Sequence, residues 1–193
     1  MANSATDELD ARFMRDALAL SRRGLGRTWP NPSVGAILVR TIDGEPVIVG
    51  RGATRPGGRP HGEAEALEQA GEAAAGATLY VALEPCAYRS IRGGVPCVER
   101  TLQAGIRRVV SATADPHPRI AGLGHALLLS AGVQVDVGLM QAEAARVHRG
   151  HFKRIRHGLP SVMLKIARTA DNFAGGPGLS LIHISEPTRP RLI

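Results

Sequence analysis

The sequence predicts an α/β fold in which a mixed sheet carries helices on its faces. Strand-like and helix-like segments alternate along most of the chain, which is the pattern of a layered α/β domain. Two short apolar runs, 34–39 and 47–49, flank Asp43-Gly44, a hairpin signal that makes the first two strands antiparallel. The later strands are separated by helices.

The elements follow in order. Thr6 with Asp7 and Glu8, then Phe13, Met14, Ala17 and Leu18 at helical spacing, predicts a helix capped at Thr6 and ending at Gly24. After the hairpin, residues 50–60 contain four Gly and two Pro and are expected to be loop. Residues 63–75, rich in Ala, Glu and Leu, predict a helix. A strand over 78–83, a Pro/Gly-rich loop over 84–96, a helix over 97–104 and a strand over 108–112 come next. A second loop through Asp115-Pro116-His117-Pro118 leads to a helix near 124–130 and a strand over 133–137. Residues 141–157 predict one longer helix, and 161–167 a further apolar strand beyond Gly158 and Pro160. The domain boundary is expected in that longer helix or just after it.

Composition excludes several classes. The 193 residues are 44% hydrophobic and 21% charged, enough to bury a core, so wholesale disorder is excluded. No apolar stretch reaches the roughly 18 residues of a membrane span, and residues 1–10 lack the basic and apolar regions of a secretory signal. A cytoplasmic protein without membrane partners is expected. The net charge of +7 suggests nucleic acid, but its distribution argues otherwise: residues 1–147 hold 16 Arg against 15 Asp or Glu, while residues 148–193 hold 8 basic against 2 acidic. With one Trp, two Tyr and three Phe there is also little from which to build base-stacking platforms.

The chemistry concentrates in His61-Gly62-Glu63, Pro85-Cys86 and Cys97. One His and two Cys supply three deprotonatable ligands for a tetrahedral zinc and leave a fourth position to water. Each Cys lies near a predicted helix N-terminus, where the dipole favours thiolate. His61 and Glu63, two residues apart, must sit at a helix entrance if both are to face one point. There Glu63 is placed to carry a proton from an activated water to a leaving amine without being a ligand. Singly, these residues are ordinary: a His before a helix is usually a capping residue, and buried Cys are often small apolar side chains. Their joint occurrence in order matches the H-x-E, P-C and second Cys of nucleobase zinc deaminases, with ten residues between the cysteines where the short form has two.

From about Phe13 to Ala174 the chain resembles the deaminase half, and then the start of the reductase half, of the bifunctional riboflavin-biosynthesis deaminase/reductases. The stretches that carry the likeness are Pro30-Asn31-Pro32-Ser33-Val34-Gly35, residues 57–67 around His61, residues 80–86 ending in Leu83-Glu84-Pro85-Cys86, Asp115-Pro116, and residues 158–167. The resemblance implies a cytidine-deaminase-like three-layer α/β/α fold with a mixed sheet and one zinc held by His61, Cys86 and Cys97. It makes Glu63 the proton shuttle and implies hydrolytic loss of an exocyclic amine from a diaminopyrimidine carrying ribose 5-phosphate. Asn31, Asp115 and His117 match substrate-contacting positions, and Arg92 or Arg89 in the loop between the cysteines is expected to hold the phosphate. The chain departs from the family at Gly62, usually Ala, at Tyr88, usually His, at His117, usually Asn or Asp, and in a loop two residues longer than the usual eight.

The same resemblance divides the chain into a deaminase domain over 1–147 and a connecting helix with the first strand of a reductase domain over 148–178. Residues 179–193 read as a non-native tail resembling translated sequencing adapter. Lys165, Thr169 and Asp171 match the reductase's opening pattern, with Asn172 for a usual Gly. NADPH belongs to that second domain, so the chain is expected to be a fragment without reductase activity and with a disordered tail. Two rivals stand beside this reading: a tRNA adenosine or nucleoside deaminase, disfavoured by the near-neutral body, and a structural zinc module, which has no use for Glu63. The sequence leaves a homo-oligomer open.

Overall fold

The structure, a computed structural model, describes residues 4–88, 94–118 and 120–166. Residues 1–161 form one compact unit, and 162 onward belongs to a second. The first unit contains α1 (Ser4–Arg23), β1 (Gly35–Ile42), β2 (Glu45–Ala53), α2 (Gly62–Ala70), β3 (Thr78–Val81) and α3 (Cys97–Gln103). It continues through β4 (Arg108–Ser111), α4 (Leu123–Ser130), β5 (Gln134–Val137), α5 (Gln141–Val147) and α6 (Arg149–His157). The sheet order is β2-β1-β3-β4-β5. β1 runs antiparallel to β2 and to β3, whereas β3, β4 and β5 are parallel, so the sheet is mixed as expected.

The hairpin forms because Asp43 and Gly44 both adopt positive φ, 52° and 85°, which lets two residues join Ile42 to Glu45. Tyr80 on β3 meets Phe13 of α1, 5.3 Å between ring centroids, which places α1 on one face of the sheet. α5 contacts α1, and α2 contacts α3, which in turn contacts α4. Helices therefore cover both faces. The buried apolar side chains of β1, β3 and β4, among them Ile37, Leu38, Leu79, Val81, Val109 and Val110, form the core with Met14, Ala17 and Leu18 of α1.

Four local expectations change. Thr6 caps nothing, because α1 already includes Ser4. Residues 50–53, expected as loop, continue β2. The glycines there serve close packing: a Cβ at Gly50 would come within 2.2 Å of the Ala66 carbonyl oxygen, and one at Gly52 within 2.0 Å of that of Gly62. The helix expected over 141–157 is two helices, α5 and α6, meeting at His148, whose φ and ψ of −90° and 10° lie outside the helical range. Residues 161–166 carry no regular secondary structure, since a strand exists only through pairing and none of the five strands pairs with them.

α5 and α6 both belong to this first unit. Phe152 of α6 is 8% exposed and lies in the core, and His148 is 2% exposed. Of the reductase-like residues, Lys165 is exposed, while Thr169, Asp171 and Asn172 lie outside the described residues, as does the tail over 179–193.

Candidate metal centre and active site

The site forms at the carboxyl ends of the parallel strands β3 and β4, where open α/β sheets gather their ligands. His61 is the residue preceding α2 and has extended backbone, φ −73° and ψ 159°. This placement at a helix entrance lets both His61 and Glu63 face one point. Gly62 between them is required by space, because a Cβ there would lie 2.2 Å from the Val34 carbonyl oxygen. Cys86 follows β3, and Cys97 opens α3.

His61 Nδ1 lies 3.6 Å from Cys86 Sγ and 3.4 Å from Cys97 Sγ. One ligand atom from each of the three residues falls within 4.8 Å of the others, a donor set of the size and chemistry zinc takes. The ten-residue spacing between the cysteines does no harm to this convergence. The Val98 N–H donates to the Cys86 carbonyl at 3.1 Å and the Cys97 N–H to Cys86 Sγ at 3.4 Å, so the loop is closed at its base whatever its length. Hydrogen bonding from Cys97 brings the Cys86 thiol down to about 4, against the opposing effect of burial. The Cys97 thiol is pushed up by that same bond and by burial. Burial pulls His61 down, yet its bond to Cys86 and the nearness of Glu63 carry it upward overall.

Glu63, in the first turn of α2, is 2% exposed, and its Oε2 has no hydrogen-bond partner among the described residues. Burial pushes its carboxyl above the usual range. A carboxyl enclosed with one oxygen unsatisfied beside a His/Cys/Cys set fits a group that must accept and release a proton during turnover.

A cavity of about 300 Å³ opens onto this centre. Its walls include Asn31, His61, Glu63, Cys86, Asp115 and His117, so the structure brings six of the expected site residues to one place; Cys97 completes the donor set from α3. Asn31 Nδ2 donates to the Gly58 carbonyl at 2.8 Å and lies 3.3 Å from His61 Nε2. Asp115 Oδ1 accepts the His117 N–H at 2.8 Å. The His117 ring stacks on Tyr88, with 6.4 Å between centroids. Arg89 and Arg92 lie outside the described residues.

Three further residues matter that sequence reading gave no role. Glu84, with its side chain wholly enclosed, accepts the backbone N–H groups of Asp115 (3.1 Å), Gly122 (3.0 Å) and Gly124 (2.9 Å). It thereby ties the Asp115 loop to the segment that carries Cys86, two residues on. His151 and Arg154 of α6 also line the cavity. The only signal for Glu84 was its place in Leu83-Glu84-Pro85-Cys86, and α6 carried none.

A His and two Cys converging at the ends of two parallel strands, with a buried Glu two residues from the His, define a zinc deaminase of the nucleobase class. Residues 7–113 match the cytidine and deoxycytidylate deaminase zinc-binding region. The chain is 39% identical over 151 residues to the diaminohydroxyphosphoribosylamino-pyrimidine deaminase of Buchnera aphidicola subsp. Schizaphis graminum, covering 78% of this chain and 99% of that one. It is 44% identical over 162 residues to the riboflavin biosynthesis protein RibD of Escherichia coli, covering 84% of this chain but 42% of that protein. The solved structure of Acinetobacter baumannii RibD superposes with a TM-score of 0.75 at 40% identity, over 86% of this chain and 45% of that one. The chain thus belongs to the cytidine and deoxycytidylate deaminase family, in its riboflavin-biosynthesis branch, and spans less than half the length of the RibD relatives it matches.

Proposed function

We propose that this chain hydrolyses the exocyclic amine of 2,5-diamino-6-(5-phosphoribosylamino)pyrimidin-4-one, releasing ammonia. The observation that carries this reading is the enclosed Glu63, with Oε2 unpartnered among the described residues, beside the converging His61, Cys86 and Cys97. The Buchnera aphidicola relative described above, which this chain covers almost end to end, is named as a deaminase of that pyrimidine. His61 Nδ1 and the two Sγ atoms would hold one zinc, which supplies Lewis-acid activation of a water at neutral pH. Glu63 takes a proton from the water at Oε2 and returns it to the leaving nitrogen. A carbon–oxygen bond forms, the carbon–nitrogen bond breaks, and the nitrogen departs as ammonia. Asn31, Asp115 and His117 orient the pyrimidine, and Arg89 or Arg92 meets the phosphate through paired guanidinium donors.

The reading places the chain in the cytoplasm, where reducing conditions leave both cysteines as metal ligands; both are free thiols here. No described helix is long and apolar enough to cross a membrane. The division into a deaminase domain, a reductase beginning over 148–178 and a foreign tail over 179–193 is part of the same proposal, as is NADPH for a reductase domain in longer relatives. The test is ammonia release from the phosphoribosylated diaminopyrimidine by the zinc-loaded chain, with and without a chelator. Turnover that the chelator abolishes and zinc restores is expected. Turnover on adenosine in tRNA or on free cytidine in its place would move the chain to another branch.

A further inference from the structure

α6 follows the last sheet strand and carries no motif, yet it contributes one of the most enclosed polar contacts of the cavity. His151 Nε2 lies 3.2 Å from Asp115 Oδ1 and 3.1 Å from Oδ2. The two side chains are 9% and 5% exposed. An ionised carboxylate only accepts, so the imidazole carries its hydrogen on Nε2. The His117 N–H reaches Oδ1 from the other side at 2.8 Å, and the carboxylate is clamped between a backbone amide and a ring. Burial would push Asp115 upward, but the hydrogen bond from His151 outweighs it and holds the carboxyl below its ordinary range.

The ring itself is fixed in place. Phe152, the next residue, sits in the core, and Arg154 Nη2 donates to the Pro30 carbonyl at 3.0 Å, pinning α6 beside the loop that carries Asn31. His148, one turn earlier, is held neutral because burial takes it down to about 4. The imidazole in hydrogen-bond reach of the carboxylate is that of His151.

We propose that His151 is a positioning residue for the reaction, fixing the orientation of the Asp115 carboxylate at the wall of the substrate cavity, so that α6 completes the binding site. The proposal rests on the deaminase reading above. Asp115 acts on the bound pyrimidine rather than on the proton in flight, so loosening it removes binding common to ground and transition states. That raises KM and leaves kcat largely intact.

The experiment compares the full zinc-loaded chain with His151→Phe, which keeps a ring but loses the donor, and His151→Gln, whose amide nitrogen reaches about as far as Nε2. KM and kcat for the phosphoribosylated diaminopyrimidine, zinc content and melting temperature are measured for all three. Affinity for the same compound is also measured by calorimetry, so that binding is read whether or not turnover occurs. Expected for His151→Phe is a KM and a dissociation constant raised about tenfold or more, as for loss of one hydrogen bond to a charged group. Its kcat should stay within about threefold, with zinc and melting temperature retained, and His151→Gln should recover most of the affinity. Equal affinity in wild type and His151→Phe overturns the proposal, and so does absence of binding to either protein. A common fall of kcat, zinc and melting temperature, or a His151→Gln as impaired as His151→Phe, would make the residue merely structural. A wild type that binds the compound but does not deaminate it refutes the deaminase reading alone.

Discussion

Glu63 is held at a local cost in free energy. Enclosing a carboxyl with one oxygen unpartnered costs free energy that a protein recovers only if the group is used. Glu63→Gln removes the desolvation of an ionisable group and should keep zinc and an equal or higher melting temperature. Its turnover should fall about 10²- to 10⁴-fold, the range for a general acid-base group. Ammonia release, metal analysis and a thermal melt on one preparation decide this; an active Glu63→Gln protein would remove the mechanism. Cys97→Ala, by contrast, should lose most of its zinc, and full retention would remove Cys97 from the ligand set. At this scale the sequence was most informative where chemistry is local: His61 and Glu63 share a helix entrance, and the cysteines sit at loop ends. Glu84 and His151 were opaque because what defines them is tertiary. Glu84 is recognisable only once three N–H groups, from residues 31, 38 and 40 positions away, point at it. His151 gains meaning only across the 36 residues to Asp115.

Among the elements, α2 and β2 show how function depends on a packing distance. α2 carries His61 at its entrance, and its closeness to β2 is set by Gly50 and Gly52, which leave no room for a Cβ against the carbonyls of Ala66 and Gly62. Read from composition, four glycines and two prolines in eleven residues meant a loop. Two of those glycines are instead strand residues under a helix, a use of Gly that composition cannot distinguish from a turn. Gly52→Ala should therefore push α2 away from the sheet. Overpacking of this kind typically costs about 1–3 kcal/mol, and a clash with backbone belongs at the upper end. Since His61 moves with α2, zinc affinity should fall with stability. Gly44→Asn, at the hairpin turn with nothing within 4 Å, keeps a residue that tolerates positive φ and should leave zinc unchanged. Urea melts and zinc titration of both variants check the contrast; a Gly52→Ala protein with native stability would mean the helix can yield without moving the metal ligand.

Across the whole molecule, the three parallel strands β3, β4 and β5 are tied to α1 by one polar cluster opposite in character to the site. Arg108 on β4 meets Asp10 of α1 through two bonds, Nη1 to Oδ1 at 3.0 Å and Nη2 to Oδ2 at 2.6 Å, and donates from Nε to Asp136 of β5 at 2.7 Å. The Tyr80 hydroxyl of β3 donates to Asp10 Oδ1 at 2.6 Å. None of this was visible in a sequence where Asp10 looks like one more acidic residue on a helix and 98 positions separate it from Arg108. The sheet order, with β1 between β2 and β3, was equally beyond periodicity, which reports faces and not neighbours. Here no buried side-chain polar atom of the cluster is left without a partner, so the cluster serves stability, and its pH dependence has a definite sign. Burial would raise the Asp10 carboxyl, but the hydrogen bonds from Arg108 and Tyr80 bring it below its ordinary value of 3.8. A carboxyl lowered in the folded state contributes stability that is fully present above its unfolded value and is lost as pH falls through the folded one. Asp10→Asn cannot titrate and leaves Arg108 short of a charge partner, so it should lower stability at pH 7 by about 3 kcal/mol, the low end for breaking an enclosed ion pair from one side. The gap between wild type and Asp10→Asn, measured by urea unfolding from pH 7 down to pH 3, should stay constant to about pH 5 and then narrow steadily. Both proteins lose zinc in acid, so the metal cancels in the difference. A gap that stays constant to pH 3, or widens, would mean that Asp10 is not ionised in the folded protein and that Arg108 is held by Asp136 alone.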